Sequence, residues 1–419
     1  MKSNFPILFF AVCSGPAFAA EGLYYTGTEA QESLPIKWSL GANAIYDDNW
    51  RAGSSTDSDA SMAVMPNLGV SFTSTTPQTT WDVFGKLGLV YYFDAPEFDA
   101  NKKPIEDTFS QSRINASFSH RYSERLRFMS RNYVANELEP DYSYGSASGR
   151  TGNETFTWMT DNSVGFRWTE RLGTYTGFRF SGSRFDTNAN AENNNDRTTI
   201  EGYEQFRYQL SPQTVLTPEY RYAQTDGSDK ASDSTDQYFL VGVDHRFSPN
   251  TIGIFKTGAQ LRDVDEGDGG LGPYLEIALQ SQINQQFRLG AYTRYGAEVN
   301  GTVIDIDKST NSHNYDYDDL RVLRVGGNGR YTVSKDLSLL AGGDFIFSNY
   351  MDGRDVNTSN TYGPDKYETS LNGYVGLSYK LTDYLFGNFY YTYTQTFTDI
   401  SYEREYDRNR ISLGLSAEF

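Results

Sequence analysis

Polar and apolar residues alternate one by one over stretches of about ten to fifteen residues along most of this chain, the period-two signature of strands with one greasy and one wet face. In TTWDVFGKLGLVYYF, Trp81, Val83, Leu87, Leu89, Tyr91 and Phe93 share a face that only Gly85 interrupts, while Asp82 and Lys86 take the other. TFTWMTDNSVGFRW groups Phe156, Trp158, Val164, Phe166 and Trp168 against Asp161 and Arg167. LSLLAGGDFIF and SLNGYVGLSYKL repeat the pattern, the first aligning Leu337, Leu339, Ala341, Phe345 and Phe347 and the second Leu371, Val375, Leu377, Tyr379 and Leu381. The final ten residues, RISLGLSAEF, place Ile411, Leu413, Leu415, Ala417 and Phe419 together.

Connections between these stretches alternate as well. Tight ones such as RYSERLR, WTERLGT, LSPQTV, FSPNTI, INQQFR, VSKDLS and LTDYLF carry Ser/Thr, Pro or Asx turn chemistry, or a polar Gln pair. Long polar ones, among them ELEPDYSYGSASGRTGNET and EVNGTVIDIDKSTNSHNYDYDD, lie between them. Eight short turns and nine long loops predict 18 strands with both ends on the short-turn side, 16 being the alternative count. The expectation is an all-β fold: a closed antiparallel transmembrane β-barrel with short periplasmic turns and long extracellular loops. A secreted β-sandwich or β-helix shares the one-sided strands but not the short/long rhythm.

Composition sharpens this picture. Aromatic residues make up 15% of the 419-residue chain, yet apolar residues as a whole reach only 38%, which suits a one-layer wall better than a filled core. No later segment approaches the roughly 18 consecutive apolar residues of a membrane helix. At the N-terminus, Lys2, the apolar run Phe5 to Val12 and Ala17-Phe18-Ala19 read as a signal peptide over residues 1–19, implying Sec-type export to the cell outer membrane. Residues 20–34 are expected to be a short periplasmic tail and 35–419 the barrel, which leaves no room for a TonB-receptor plug or an autotransporter passenger. The single cysteine, Cys13, leaves with the signal, so neither disulfide nor thiolate chemistry is expected.

Where the first strand runs out, ANAIYDDNW, and at the turns YSERL, TERL and LTDYL, the chain resembles the β-barrel porin 2 family of Gram-negative outer membranes. That resemblance implies a barrel and a pore. Phe419 likewise resembles the C-terminal signature read by barrel-assembly machinery.

If the apolar stripes face lipid, the other face lines a pore with Lys86, Arg113, Arg127, Arg131, Arg179, Arg207, Arg221, Arg288, Arg294 and Arg324. Arg121, Arg246 and Arg330 share that parity, as do Asp82, Asp161, Glu219, Asp244, Glu276 and Asp344. Basic groups dominate this inferred wall although the whole chain carries a net charge of −18, because the acid is concentrated in the loops. Trp81, Phe156, Trp158, Phe166, Trp168, Phe345, Phe347 and Phe419 are the expected membrane girdle.

The reading therefore expects a porin-like barrel that passes small hydrophilic solutes, or else forms ion pairs that only stiffen its lumen. The other class is a surface or structural barrel binding glycans, or assisting polysaccharide export, through loops such as that around Tyr142 to Tyr144. An enzyme is not expected: of the three histidines, His120 and His245 sit on the apolar face at strand ends, where the residues two positions away are aromatic or aliphatic and not serine, and His313 lies in a polar loop. Asp263, Asp265 and Asp268 are weak calcium candidates whose spacing does not match an EF-hand, so no metal or cofactor is assigned. Expected partners are outer-membrane lipid and lipopolysaccharide, barrel-assembly machinery through the C-terminal strand and small hydrophilic solutes, with self-association left open. No basic nucleic-acid patch is present.

Overall fold

The computed structural model describes residues 36–50, 59–93, 107–138, 154–185, 196–227, 233–265, 269–298, 303–305, 314–355, 364–399 and 405–419. The signal and tail, the Tyr142 to Tyr144 loop, Asp268 and His313 lie outside them.

Among the described residues all regular structure is β, in one sheet of 21 segments. Thr108–Ser110 and Thr214–Leu216 prolong their neighbours, and Val303–Asp305 pairs only with the outer end of a longer strand, which leaves eighteen staves. In chain order they are β1 (Ile36–Asp47), β2 (Ser61–Thr75), β3 (Thr79–Tyr92), β4 (Thr108–Ser110 continued by Ser112–Arg121), β5 (Leu126–Glu137) and β6 (Thr155–Arg167). β7 (Leu172–Phe185), β8 (Arg197–Ser211), β9 (Thr214–Leu216 continued by Glu219–Gly227), β10 (Ser234–Ser248), β11 (Thr251–Val264) and β12 (Gly270–Gln282) follow. β13 (Phe287–Glu298), β14 (Asn314–Thr332), β15 (Leu337–Asp355), β16 (Lys366–Lys380), β17 (Leu385–Thr398) and β18 (Tyr406–Glu418) complete the meander.

Each stave pairs antiparallel with the next, and β18 returns to β1 in the register Ser39↔Glu418 to Asp47↔Arg410. Below that ladder, the Trp38 N–H donates to the Phe419 carbonyl (3.0 Å) and the Phe419 N–H to the Trp38 carbonyl (2.8 Å). The closed sheet has no edge, the condition for a β-structure to stand in hydrocarbon. Its outer wall carries exposed large apolar side chains on every side, including Trp38, Leu68, Trp81, Val164, Phe206, Phe255, Leu339, Val375 and Leu413. A continuous belt of that kind is not tolerated in water, so the wall faces lipid and the chain is an outer-membrane β-barrel.

The short turns share one device. In all eight, a Ser, Thr or Asn side chain accepts the backbone N–H two or three residues on, as with Ser123 to Leu126 (3.1 Å), Thr169 to Leu172 (3.0 Å) and Thr382 to Leu385 (3.1 Å). In INQQFR the acceptor is Asn284, at 2.8 Å from both the Gln286 and Phe287 nitrogens, and not the Gln pair expected from the sequence. Within the last turn, the Lys380 ammonium hydrogen-bonds Asp383 (2.7 Å) and holds its carboxyl below the usual carboxylate range. Prolines fall where the ladder yields: β9 breaks at Thr217 and Pro218, whose carbonyl still takes the Phe206 N–H (2.9 Å).

Several long connections are shorter than the polar composition suggested. β14 begins at Asn314 and β15 ends at Asp355, both 19 residues long, so Asp316, Asp318 and Asp319 belong to a strand and not to a loop. Cross-strand pairing such as Tyr315↔Asp355 satisfies backbone groups regardless of how polar the side chains are.

At the other end of the closing seam, Tyr46-Asp47-Asp48-Asn49 does more than turn the chain. Asp47 is fully buried and takes Arg408 (Nε 2.9 Å, Nη2 2.5 Å) and Arg410 (3.1 Å). Asp48 receives the backbone and side-chain nitrogens of Asn409 (2.6 and 2.7 Å), and Asn49 donates to the Asp407 carbonyl (3.0 Å). First and last strands are thus tied by charge as well as by ladder. Replacing Asp47 with Ala removes the buried carboxylate that two guanidinium groups share, and breaking a buried pair in this way is expected to cost about 3–5 kcal/mol. Heat-modifiable gel mobility of the folded barrel should show a lower unfolding midpoint, and an unchanged midpoint would contradict the clamp.

Candidate lumen site

Side chains that alternate with the exposed apolar ones turn to the concave side. Contacts that skip strands demonstrate it: Arg221 on β9 reaches Tyr274 and Glu276 on β12 (3.4 Å each), and Lys256 on β11 reaches Glu219 on β9 (3.0 Å). Only inside a barrel do such side chains converge.

From β6 to β14 this inner wall carries successive clusters of opposite charges. Arg179 bridges Asp161 (3.0 Å) and Glu201 (2.9 Å), and the Tyr203 hydroxyl donates to Asp161 (2.9 Å). Arg207 pairs with Asp244 and donates to Gln205 (2.6 Å), which passes the chain to Glu219 (2.5 Å). Glu219 is then held by Arg221 and Lys256, and Tyr274 donates to Glu276 (3.0 Å). Further along, Glu298 collects Arg294 (2.6 Å) and Arg324 (2.7 Å). Most of these groups are buried against one another: Glu276 and Arg324 are 2% and 1% exposed. Buried charges persist only when paired, and here each neutralises the next. Arg262 is the looser member, 3.7 Å from Asp236 with no hydrogen bond from its guanidinium. A cavity of about 90 Å³ opens on the ladder between Arg131, Asp161, Arg179, Arg207, Glu219 and Lys256. At the periplasmic rim, Arg121, Arg125, Arg127 and Arg167 border a wider one of about 420 Å³.

The facing arc, β15 through β2, is nearly uncharged at mid-height. Its inward positions include Gly342, Asn372, Gly376, Asn388, Gly414, Asn43 and Asn67, and the one charge at this height among the described residues is Asp344, beside Asn372. Tyrosines here and on the charged side lie flat, each over a register-paired glycine on the neighbouring strand: Tyr175 over Gly165, Tyr203 over Gly177, Tyr292 over Gly326, Tyr374 over Gly342 and Tyr390 over Gly376. A Cβ at any of these glycines would overlap the ring. The missing side chain lets the ring cross one strand and its hydroxyl reach the next, as Tyr203 does to Asp161 and Tyr292 to Asp344 (2.6 Å). Wall area is covered without a ring projecting into the lumen.

Lys86, Arg113, Arg127, Arg131, Asp82 and Arg288 also take inward positions, Arg113 paired with Glu137 (2.5 Å) and Arg288 set opposite Arg330. Trp81, Phe156, Trp158, Phe166, Trp168, Phe345, Phe347 and Phe419 stand on the outer face. Acidic partners were under-read: Glu137, Glu201, Asp236 and Glu298 all line the inside. Parity alone would have found them, since Glu298 lies four residues beyond Arg294 and Glu137 six beyond Arg131. Each histidine in a strand has a hydroxyl partner across the ladder that no same-strand search reveals: Thr79 with His120 (2.8 Å) and Thr214 with His245 (2.9 Å). Neither pair has a carboxylate on its imidazole among the described residues. Asp263 sits opposite Thr235 at the end of β11, and the Asp265 N–H bonds the Asp233 carbonyl (3.1 Å).

No protein-family model and no curated protein matches the chain. Among solved structures it is similar to Acinetobacter baumannii OccAB4, at 12% identity and TM-score 0.43, covering 93% of this chain and 99% of that one. Pseudomonas aeruginosa OccK1 (OpdK) gives 11% identity and TM-score 0.45 over 92% and 99%. Pseudomonas aeruginosa OccK2 (OpdF), in complex with glucuronate, gives 11% identity and TM-score 0.44 over 92% and 98%.

The ring-over-glycine contact is testable by a double-mutant cycle on thermal unfolding. Gly177→Val should destabilise by about 1–3 kcal/mol through overpacking. Tyr203→Ala in the same chain should relieve part of that loss, giving a coupling of roughly 0.5–3 kcal/mol. Strict additivity would mean that the ring and the glycine do not interact.

Proposed function

We propose that the chain is a channel for passive passage of small hydrophilic solutes, with a lumen that offers paired charges on one arc and neutral polar groups on the other. The observation that carries this reading is the one-sided distribution itself. Charges needed only to stiffen a barrel could sit anywhere around the ring, whereas here the described mid-height charges gather on β3 to β14, and β15 to β2 carry Gly, Asn and Tyr there with Asp344 the charged exception, the Asp47–Arg408–Arg410 cluster lying at the outer end of the seam. Solutes with separated charges or several hydrogen-bonding groups can exchange contacts with both signs of the ladder and pass with their polar ends against it. The Arg groups around the cavity and the basic rim add a mild preference for anions, and the β-barrel porin 2 resemblance points to the same class of activity. No catalytic step is assigned to the barrel.

Reversal potentials across planar bilayers containing the purified protein test the proposal. Lys256→Met removes one positive charge beside Glu219 and Glu276 and should shift selectivity toward cations; Glu219→Gln should shift it toward anions. Absence of channel events from folded protein, or identical reversal potentials in both variants, would overturn the reading.

A further inference from the structure

Among the described residues the outer wall is apolar at mid-height apart from single threonines such as Thr257, whose hydroxyl donates to the Tyr274 carbonyl (3.1 Å), and Thr293, and one sector where polar side chains cluster. On β5 and β6, between Phe128, Val164 and Phe166 on one side and Val134 and Trp158 on the other, stand Ser130, Asn132, Thr160 and Asn162, with Asn132 register-paired to Thr160 and Ser130 to Asn162. Two strands on, Thr176 of β7 faces Glu204 of β8. These six residues share the outward parity of Val134, Val164, Phe178 and Phe206, all exposed.

Hydrogen bonds within the sector satisfy only part of its capacity. Asn132 donates to Ser130 (3.1 Å) and accepts from Thr160 (2.7 Å), Asn162 donates to Thr160 (2.9 Å), and Thr176 donates to Glu204 (2.5 Å). Each amide nitrogen keeps an unused N–H, while Asn162 Oδ1 and Glu204 Oε1 accept nothing among the described residues. Water satisfies such groups in the lumen, but on this face the neighbour is hydrocarbon, where unpaired amides and a carboxyl group are costly. Beside Glu204, Gly202 leaves a notch in which an added Cβ would meet no atom within 4 Å.

We propose that this sector, β5 to β8, is where a second copy of the chain packs. Spare donors at Asn132 and Asn162 and spare acceptors at Glu204 occur on one surface, so the surface complements itself when copies face each other. Amides and hydroxyls both donate and accept, which lets the same residues serve on either side of a symmetric contact. The partner must cross the same hydrocarbon layer at the same depth, and another barrel does so. This proposal rests on the lipid-facing wall and is independent of channel activity.

Cross-linking in intact outer membranes tests it. The mature chain should lack cysteine, Cys13 being the only one, so Phe178→Cys at the centre of the sector and Val375→Cys on the far wall give single reactive sites. With a bis-maleimide, the Phe178→Cys protein should yield a two-chain band and the Val375→Cys protein none. Adding Asn132→Leu, Asn162→Leu and Glu204→Leu, which suit lipid and leave heat-modifiable folding intact, should abolish the band. No band from Phe178→Cys, an equal band from Val375→Cys, or a band that survives the three leucines would overturn the proposal.

Discussion

A peptide group in hydrocarbon has no water to bond, and nearly every feature of this barrel follows from that constraint. Each strand must give its N–H and C=O groups to two neighbours, so the meander has to return on itself. The two hydrogen bonds between Trp38 and Phe419 and the ladder from Ser39 to Asp47 complete the circle. Charge reinforces the same seam at its outer end, where Asp47 gathers two arginines of the last strand and the neighbouring Asp48 and Asn49 bind its backbone.

Closure fixes the direction of every side chain. Once the ring is shut, residues two apart share a fate, one set in lipid and one in the lumen, and a slip of one residue would drive a dozen charges into the bilayer. Inside, the low exposure of groups such as Glu276 and Arg324 obliges opposite charges to pair, as they do from Asp161 with Arg179 to Glu298 with Arg324. Glycines opposite tyrosines keep the remaining wall thin, since each ring lies along the sheet and not across the pore. The charge pattern and the shape of the lumen therefore have one origin: which side chains a closed wall can turn inward without leaving a charge or a void unmatched.

Much of this was legible in the chain. Period-two alternation and the short/long rhythm of connections gave the strand number and the inner and outer faces, because both are local consequences of a one-layer sheet. The Arg positions were legible for the same reason. Their partners were not: that Arg207 meets Asp244 and Arg221 meets Glu276 depends on register across two or three strands, which no single strand encodes. The loop reading failed at Asp316 to Asp319 because polar composition was taken for irregular backbone, while pairing with β15 supports a strand there whatever the side chains. In sequence, Tyr46-Asp47-Asp48-Asn49 marked only the place where the first strand runs out, and its role at the seam emerges only when residue 408 is brought to residue 47.

The most direct measurement concerns β18. Single cysteines at successive positions from Ile411 to Ala417, each carrying a nitroxide, would be exposed in membranes to lipid-soluble oxygen and to a water-soluble nickel chelate. A closed barrel predicts strict alternation, with 411, 413, 415 and 417 relaxed by oxygen and 412, 414 and 416 by the chelate. Uniform access of the chelate to both sets would contradict a wall with lipid on one side and water on the other.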